Sequence, residues 1–283
     1  MQENSNLDFN SFGTTDDAMD FYLFGDSEPK PVSDLQETPP AIDIDPGVSE
    51  GRRALNMIVV VDVSGSMAGE RIASVNNALE NVFGELKRSS GSLDAAIKVA
   101  ILEFSASAKW KMNTPIPVED LVFTELTTTP YITNYATAFN ALNEKLSRKA
   151  FMDPNLTDYF APLILFVTDG EPTDTEEYPQ ALRALRKNGW FNEGLKYAIA
   201  VGKDAKSERV SNVLAEFTGD KDNVRYAEQG SKLCDLIQYV LVRGSKIQTK
   251  MLSTGDNAPQ EKLFSNPDPD LWDSMFKTQI QDQ

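Results

Sequence analysis

The chain has 283 residues, enough for one large domain or two small ones, because domains usually contain about 100 to 200 residues. Its formal charge is −16, from 27 Lys and Arg against 43 Asp and Glu, which argues against nucleic acids and anionic membrane surfaces as partners. Histidine is absent, which excludes Ser-His-Asp and Cys-His nucleophile systems and zinc sites with histidine ligands.

Residues 1–50 form a strongly acidic segment. Twelve acidic side chains oppose the single Lys30, and clustered prolines at its end predict an extended linker, so we expect a disordered arm. Near the N-terminus we find neither a basic start nor an apolar stretch, and no apolar run approaches the roughly 20 residues that cross a bilayer. The only cysteine, Cys234, cannot close an intrachain disulfide. We therefore expect a soluble cytoplasmic protein.

Residues 51–254 are nearly neutral and alternate short β-branched runs with helical stripes, a pattern typical of an α/β domain with a mainly parallel sheet. Strands are predicted at Met57–Val63, Ile97–Phe104, Trp110–Met112, Leu163–Thr168, Lys196–Val201 and Val224–Tyr226. Helices are predicted at Glu70–Lys87 and around Phe139, Leu182, Val213 and Leu236, with Ser207 as one N-cap. Right-handed crossovers then give a doubly wound sheet that is flanked by helices and binds ligands at the carboxyl ends of its strands.

Oxygen-bearing side chains collect at three of those carboxyl ends. The first strand runs into a turn that carries Asp62, Ser64 and Ser66 at alternate positions, so these side chains lie on one side of the extended chain. Thr133 precedes a predicted helix, and Asp169 follows a buried strand. Carboxylates and hydroxyls without nitrogen or sulfur suit a hard cation, Mg²⁺ first and otherwise Mn²⁺ or Ca²⁺, with water or a partner completing the shell.

The same residues also have a purely structural interpretation. Asp62, Ser64 and Ser66 are residue types that cap helices, and a predicted helix begins directly after them. Because Thr133 and Asp169 occur in register with them, we favour metal binding.

Two further features near the motif are given structural interpretations. The acids Glu171, Asp174, Glu176 and Glu177 are interpreted as the solvated start of a helix rather than as a second cation site. Met67 is expected to be exposed beside the motif, as an ordinary loop residue or a partner contact.

The combined pattern resembles the von Willebrand factor A domains, whose metal-ion-dependent adhesion site has Asp-x-Ser-x-Ser, a later Thr, and an Asp that opens a Thr-Asp-Gly turn. All three parts occur here in that order. The resemblance implies a Rossmann-like sheet and a metal site made of Asp62, Ser64, Ser66, Thr133 and Asp169. It also implies that the hydroxyls bind the cation directly or nearly so, that the carboxylates act in part through water, and that a partner carboxylate completes the shell.

The resemblance covers roughly residues 55–245 and is closer to the bacterial TerY-like branch, intracellular proteins associated with tellurite resistance and stress. The segments 60–70 and 166–174 carry it. It implies a protein kinase and a phosphatase as partners. Tyr131 and Ile132 stand where the family usually has glycines before the metal-binding threonine.

Three functions are compared. The first is a non-enzymatic scaffold that captures a partner's acidic residue through the cation. The second is a Mg²⁺- or Mn²⁺-dependent phosphohydrolase with Asp62 as nucleophile or water-positioning group. It is disfavoured because Ser64 stands where a second acid is expected and the motif shows no obvious Lys or Arg clamp. The third, an extracellular adhesin, is disfavoured because no signal peptide is seen. We therefore expect no enzymatic activity.

Both ends of the chain combine acids with large apolar groups. Residues 255–283 form an acidic tail with a net charge of −4. The apolar groups are Phe9, Phe12, Phe21, Tyr22, Leu23 and Phe24 in the arm, and Leu271, Trp272, Met275 and Phe276 in the tail. Two interpretations stay open: segments that fold on a partner, and segments that pack on their own domain.

Overall fold

The computed structural model describes residues 53–92, 95–152, 160–202, 204–227 and 230–246. The predicted arm, the predicted tail and their docking segments lie outside the described residues. The boundaries that the sequence predicts for the central domain also lie outside them.

Strands and helices alternate along the described chain. The strands are β1 (Arg53–Asp62), β2 (Ala95–Phe104), β3 (Ala108–Trp110), β4 (Ile116–Pro117), β5 (Leu163–Thr168), β6 (Leu195–Val201) and β7 (Val224–Ala227). The helices are α1 (Glu70–Ser89), α2 (Tyr135–Lys145), α3 (Tyr178–Leu185), α4 (Gly189–Glu193), α5 (Glu208–Thr218) and α6 (Gly230–Gln238), with a π-helical turn at Tyr239–Arg243. The predicted strands and longer helices are confirmed with ends shifted by a few residues, and Ser207 caps α5 as expected.

The sheet is mainly parallel. Its order is β3-β2-β1-β5-β6-β7, and β4 also pairs with β2. The pairs β1–β2, β1–β5, β5–β6 and β6–β7 are parallel, whereas β3 and β4 run antiparallel to β2. The chain leaves β1 toward β2 on one side and leaves β5 toward β6 on the other. The carboxyl ends of β1 and β5 therefore form the topological switch point, where doubly wound sheets bind their ligands.

Two hydrophobic cores cover the two faces of the sheet. Met57, Val59 and Val61 of β1 face the core that includes α1 and α6, whereas Ile58 and Val60 face the core that includes α2, α3 and α5. Burial on both sides explains the continuous apolar run that predicted this strand. In the described part of the chain, no helix has the length and apolar character needed to cross a membrane.

The sequence analysis missed or misplaced several short features. It did not predict β4 and α4, because both are too short to show a periodic pattern. It was wrong about Met67, which is fully buried in the core that contains α1. A single 3₁₀ turn, Gly65–Met67, separates β1 from α1 and packs this side chain into the core.

Candidate metal centre

The first and the last of the predicted ligands are brought together by the sheet itself. Asp62 is the last residue of β1, and Asp169 directly follows β5. These strands are parallel neighbours with Val61 opposite Val167, so the two acids lie at the switch point. Asp62 is completely buried and Asp169 is 3% exposed. Two carboxylates are thus withdrawn from water at the same edge, which favours a cation between them.

Hydrogen bonds join four of the five predicted ligands. The backbone N–H of Ser64 donates to Oδ1 of Asp62 over 2.8 Å. The hydroxyl oxygens of Ser64 and Ser66 are 3.1 Å apart, and Oγ of Ser66 donates to Oδ1 of Asp169 over 2.7 Å. Ser64 is buried whereas Ser66 is exposed, so the network leads from the core to the surface.

Thr133 lies in the loop before α2 and does not join that network. Within the described residues, its hydroxyl makes no hydrogen bond to the other four predicted ligands. Its carbonyl oxygen accepts from the N–H and from Oγ1 of Thr173, both over 2.8 Å, on the loop that follows Asp169. The carbonyl oxygen of Tyr131 accepts from the N–H of Gly65 over 3.2 Å. The loop of Thr133 is therefore fastened to both loops that carry the other ligands.

Asp62 has an unusual electrostatic environment. Its Oδ2 accepts from Oγ1 of Thr168 over 2.8 Å, and that hydroxyl accepts from Tyr135 over 3.2 Å. Burial raises the pKa of Asp62 to about 6, and the neighbouring charge of Asp169 contributes, although the hydrogen bonds from Ser64 and Thr168 oppose the shift. A carboxylate that is costly to ionise in isolation gains from a nearby cation.

A positive side chain contacts this site, contrary to the sequence-based expectation. Nη1 of Arg71 donates to Oδ2 of Asp169 and, over 3.2 Å, to the carbonyl oxygen of Ser66. Arg71 belongs to the first turn of α1, directly after the motif. Its position in the sequence, directly after the motif, was the signal from which this contact could have been predicted.

The donor set fits a hard divalent cation. It consists of carboxylate and hydroxyl oxygens, the ligands that Mg²⁺ and Mn²⁺ prefer. No group of three or more Asp, Glu, Cys or His side chains suited to a metal occurs in the described ranges. Hydroxyls and water must therefore supply part of any shell formed here.

One of the nearby acids, Asp174, differs from its predicted role. Glu176 and Glu177 are exposed just before α3, as expected. Asp174 is instead 7% exposed, and its oxygens accept from the N–H groups of Tyr135 and Ala136 over 2.9 and 2.7 Å. It therefore caps the N-terminus of α2, the helix that follows Thr133, and is not a solvated residue of α3.

Comparison with known proteins gives a family match. Residues 56–238 match the profile of the von Willebrand factor type A domain. A comparison with curated proteins finds no match.

Solved structures show a similar fold. The pilus adhesin SpaC from Lactobacillus rhamnosus GG, in its open conformation, has 12% identity and a TM-score of 0.52, covering 70% of this chain and 30% of that one. The ArnB paralog VWA2 from Sulfolobus acidocaldarius has 17% identity and a TM-score of 0.48, covering 66% and 45%. Proximal thread matrix protein 1 from the mussel byssus, solved with a zinc-occupied MIDAS motif, has 12% identity and a TM-score of 0.46, covering 69% and 46%. The chain thus spans less than half of each of these structures.

Proposed function

The chain belongs to the von Willebrand factor type A family, and from this premise we propose that it is a non-enzymatic interaction module that captures a partner's acidic residue through a divalent cation. Domains of this family are generally interaction modules, and many use a metal-ion-dependent adhesion site. The proposed ligands are Asp62, Ser64, Ser66, Thr133 and Asp169.

The observation that carries this proposal is the continuous network from Asp62 to Asp169 at the switch point. It contains two buried carboxylates and two hydroxyls, and it reaches the surface at Ser66. A partner can therefore approach the site without any opening of the core. Asp62 and Asp169 would supply the negative charge, and the hydroxyls of Ser64, Ser66 and Thr133 would supply neutral oxygens.

We propose Mg²⁺ as the cation, because it prefers an octahedral oxygen shell and usually keeps water in some positions. When bound, the cation supplies a Lewis acid to which a partner carboxylate can add in place of water. Mn²⁺ and Ca²⁺ have similar ligand preferences and are the alternatives.

The cellular setting is a further part of the proposal. We place the protein in a bacterial cytoplasmic stress or tellurite-resistance complex beside a protein kinase and a phosphatase. Support comes from the segments 60–70 and 166–174, which resemble the TerY-like branch.

One observation favours a second candidate, a Mg²⁺- or Mn²⁺-dependent phosphohydrolase. Arg71 lies beside Asp169 and has the charge that a phosphate clamp needs. Against this candidate, Asp62 is completely buried and both of its oxygens accept hydrogen bonds, from Ser64 and Thr168. A nucleophile must reach its substrate, so this geometry argues against Asp62 as a nucleophile.

Calorimetric titration of the full chain with Mg²⁺ and Mn²⁺ tests the metal site. We expect one cation per chain, with binding abolished in Asp62→Ala and Asp169→Ala and retained in Glu171→Ala. Glu171 is a matched control because it is an acid of the same loop that contacts Ser207 and Arg209 instead. Unchanged binding in the first two variants contradicts the proposed ligands.

Partner capture and hydrolysis are tested separately. We expect proteins to be retained from bacterial lysate with Mg²⁺ and released by EDTA, and to be missing with Ser64→Ala or Thr133→Ala. The same proteins under all conditions would contradict metal-dependent capture. Turnover of p-nitrophenyl phosphate that requires Mn²⁺ and is lost in Asp62→Ala would favour the phosphohydrolase.

A further inference from the structure

Arg71 contacts the proposed metal site from outside the set of ligands. Nη1 of its guanidinium group donates both to the carboxylate of Asp169 and to the carbonyl oxygen of Ser66. Its side chain is 34% exposed, whereas the side chain of Asp169 is fully buried. A positive charge is therefore held at the surface side of the site, in contact with two residues that are proposed to bind the cation.

Gly202 leaves room for this guanidinium group. A Cβ atom at this position would lie 2.7 Å from Nη2 and 3.0 Å from Cζ of Arg71, so the guanidinium group would have to shift. Gly202 also has a φ of +93°, which side chains other than glycine rarely adopt. The residue that follows β6 thus presents only backbone to Arg71.

The other side of Arg71 borders open space. A cavity of about 470 Å³ is lined by Ser66, Arg71, Val201 and Gly230, among others. Within the described residues, Nε and Nη2 of Arg71 have no hydrogen-bond partner. Glu70 also lines this cavity, but its Oε1 lies against Gly230, the first residue of α6, where the helix dipole is positive. Free donors and a positive charge therefore stand next to Ser66, where a partner must approach.

We propose that Arg71 is a second cation built into this site, which weakens the binding of the metal and strengthens the capture of a partner carboxylate. This inference depends on the proposed function. With Asp62 and Asp169 ionised, a divalent cation leaves the site neutral, and Arg71 makes it positive. The metal is repelled by that charge and shares Asp169 with it, whereas an incoming carboxylate is attracted by both cations.

The two effects have opposite signs, and this separates the proposal from a structural role. In Arg71→Met and Arg71→Gln, we expect Mn²⁺ to bind about threefold to tenfold more tightly, the range for charges that interact in a partly solvated setting. Acetate should then bind to the Mn²⁺-loaded variants more weakly by a similar factor. Loss of a merely structural contact would weaken both steps.

Mn²⁺ binding to the full chain is measured by electron paramagnetic resonance of the free ion. Acetate binding to the Mn²⁺-loaded protein is measured by water-proton relaxation, with sodium chloride at equal ionic strength as the salt control. Arg71→Lys keeps the charge and should stay within about twofold of the wild type for Mn²⁺. Arg209→Met is the matched control, because Arg209 also pairs with a carboxylate of the loop after β5, that of Glu171, but contacts no proposed ligand.

The outcomes are distinguishable. If the wild type does not bind Mn²⁺, the proposed function itself fails. If the wild type binds Mn²⁺ but both neutral variants bind it equally or more weakly, or bind acetate unchanged, the role of Arg71 is wrong while the proposed function stands. Two neutral variants of different shape keep the test valid if one of them does not fold.

Discussion

Burial shifts the pKa values of two ionisable groups at opposite ends of the sheet, and it shifts them in opposite directions. Asp62 ends β1 at the carboxyl edge, and burial raises its pKa to about 6. Lys196 lies near the start of β6, where burial, assisted by the charge of Arg186, lowers its pKa to about 8. Each group is costly to ionise where it lies, yet only the first belongs to a candidate site.

The surroundings of Lys196 explain why this residue does not belong to a candidate site. Its Nζ donates to the carbonyl oxygens of Phe191, Asn192 and Gly194 over 2.9, 3.0 and 2.7 Å. An ammonium group has three donors, so all of them are used. The lysine satisfies carbonyl groups at the C-terminal end of α4 and has no hydrogen-bond donor left for a ligand.

The surroundings of Asp62 lead outward instead. Its neighbours Ser64 and Ser66 connect it to a second buried carboxylate, Asp169, and to the surface. Oxygen atoms accumulate here, and Arg71 is the cation in contact with them among the described residues. Of the two shifted groups, only Asp62 is therefore connected to other oxygen-bearing side chains and to the surface, which makes it part of a candidate site.

The strongest effect is expected for Asp62, at the carboxyl edge of the sheet. Asp62→Asn should lower the affinity for Mg²⁺ by about 100-fold or more, since the charge of a proposed ligand is removed. In EDTA at neutral pH, the same change should stabilise the protein by about 1 to 2 kcal/mol. The rise in the pKa of Asp62 from 3.8 to about 6 means that its ionisation costs the folded protein roughly 3 kcal/mol. The gain from removing this cost is reduced because asparagine makes a poorer hydrogen bond with Thr168.

Calorimetry and urea unfolding measure these two quantities. Glu171→Gln serves as the control, because it removes a nearby charge that is exposed and makes only surface contacts. A metal-free Asp62→Asn protein that is less stable than the wild type would show that Asp62 is a structural anchor.

The second prediction addresses the other end of the sheet. Lys196→Met should destabilise the protein by about 1 to 3 kcal/mol, because three carbonyl groups at the end of α4 lose their donor. Mg²⁺ affinity should not change. Urea unfolding and calorimetry measure both, and the exposed Lys187→Met is the control. A changed Mg²⁺ affinity would mean that the two regions are coupled.

The stability of the metal-free protein should depend on pH through both Asp62 and Lys196. Asp62 binds a proton more tightly in the folded state than in the unfolded state. Its contribution to the free energy of unfolding is therefore complete below pH 3.8 and is lost as the pH rises through about 6. Lys196 binds a proton more weakly in the folded state, so its contribution rises between about pH 8 and 10.5.

Urea unfolding in EDTA across this pH range, for the wild type and the variants Asp62→Asn and Lys196→Met, measures both slopes. We expect the first variant to lose only the acid-side decline and the second only the alkaline rise. A decline that persists in Asp62→Asn would assign it to another carboxyl group.

The sequence predicted the part of the site that local order determines. Asp62, Ser64 and Ser66 follow a strand whose apolar run is unmistakable, and Asp169 follows another, so parallel pairing brings them to one edge. Their metal binding stays a prediction. Thr133 lies in the loop before α2, and the attachment of that loop to Thr173 depends on tertiary contacts that the sequence pattern does not contain.

The features that escaped prediction depend on tertiary contacts. Asp174 precedes α3 in the sequence but caps α2, which only the folded chain brings to it. Arg71 is adjacent to the motif, yet its direction depends on space left by Gly202, more than a hundred residues later. Met67 follows two polar positions, but a 3₁₀ turn buries it. Local periodicity contains no information on such contacts.

The weakest effect is expected for Gly202, which borders Arg71, the partner of Asp169 at the carboxyl edge. Gly202→Ala and Gly219→Ala both place a side chain at positive φ, +93° and +79°, and each should cost about 1 kcal/mol of stability. Only at Gly202 does the new Cβ meet Arg71, since nothing lies within 4 Å of such an atom at Gly219. Gly202→Ala should therefore displace the guanidinium group and tighten Mn²⁺ binding by about twofold, part of the effect of removing the charge. Gly219→Ala should leave Mn²⁺ binding unchanged. Equal Mn²⁺ affinities in the two variants, measured by electron paramagnetic resonance, would show that the position of Arg71 does not influence the metal.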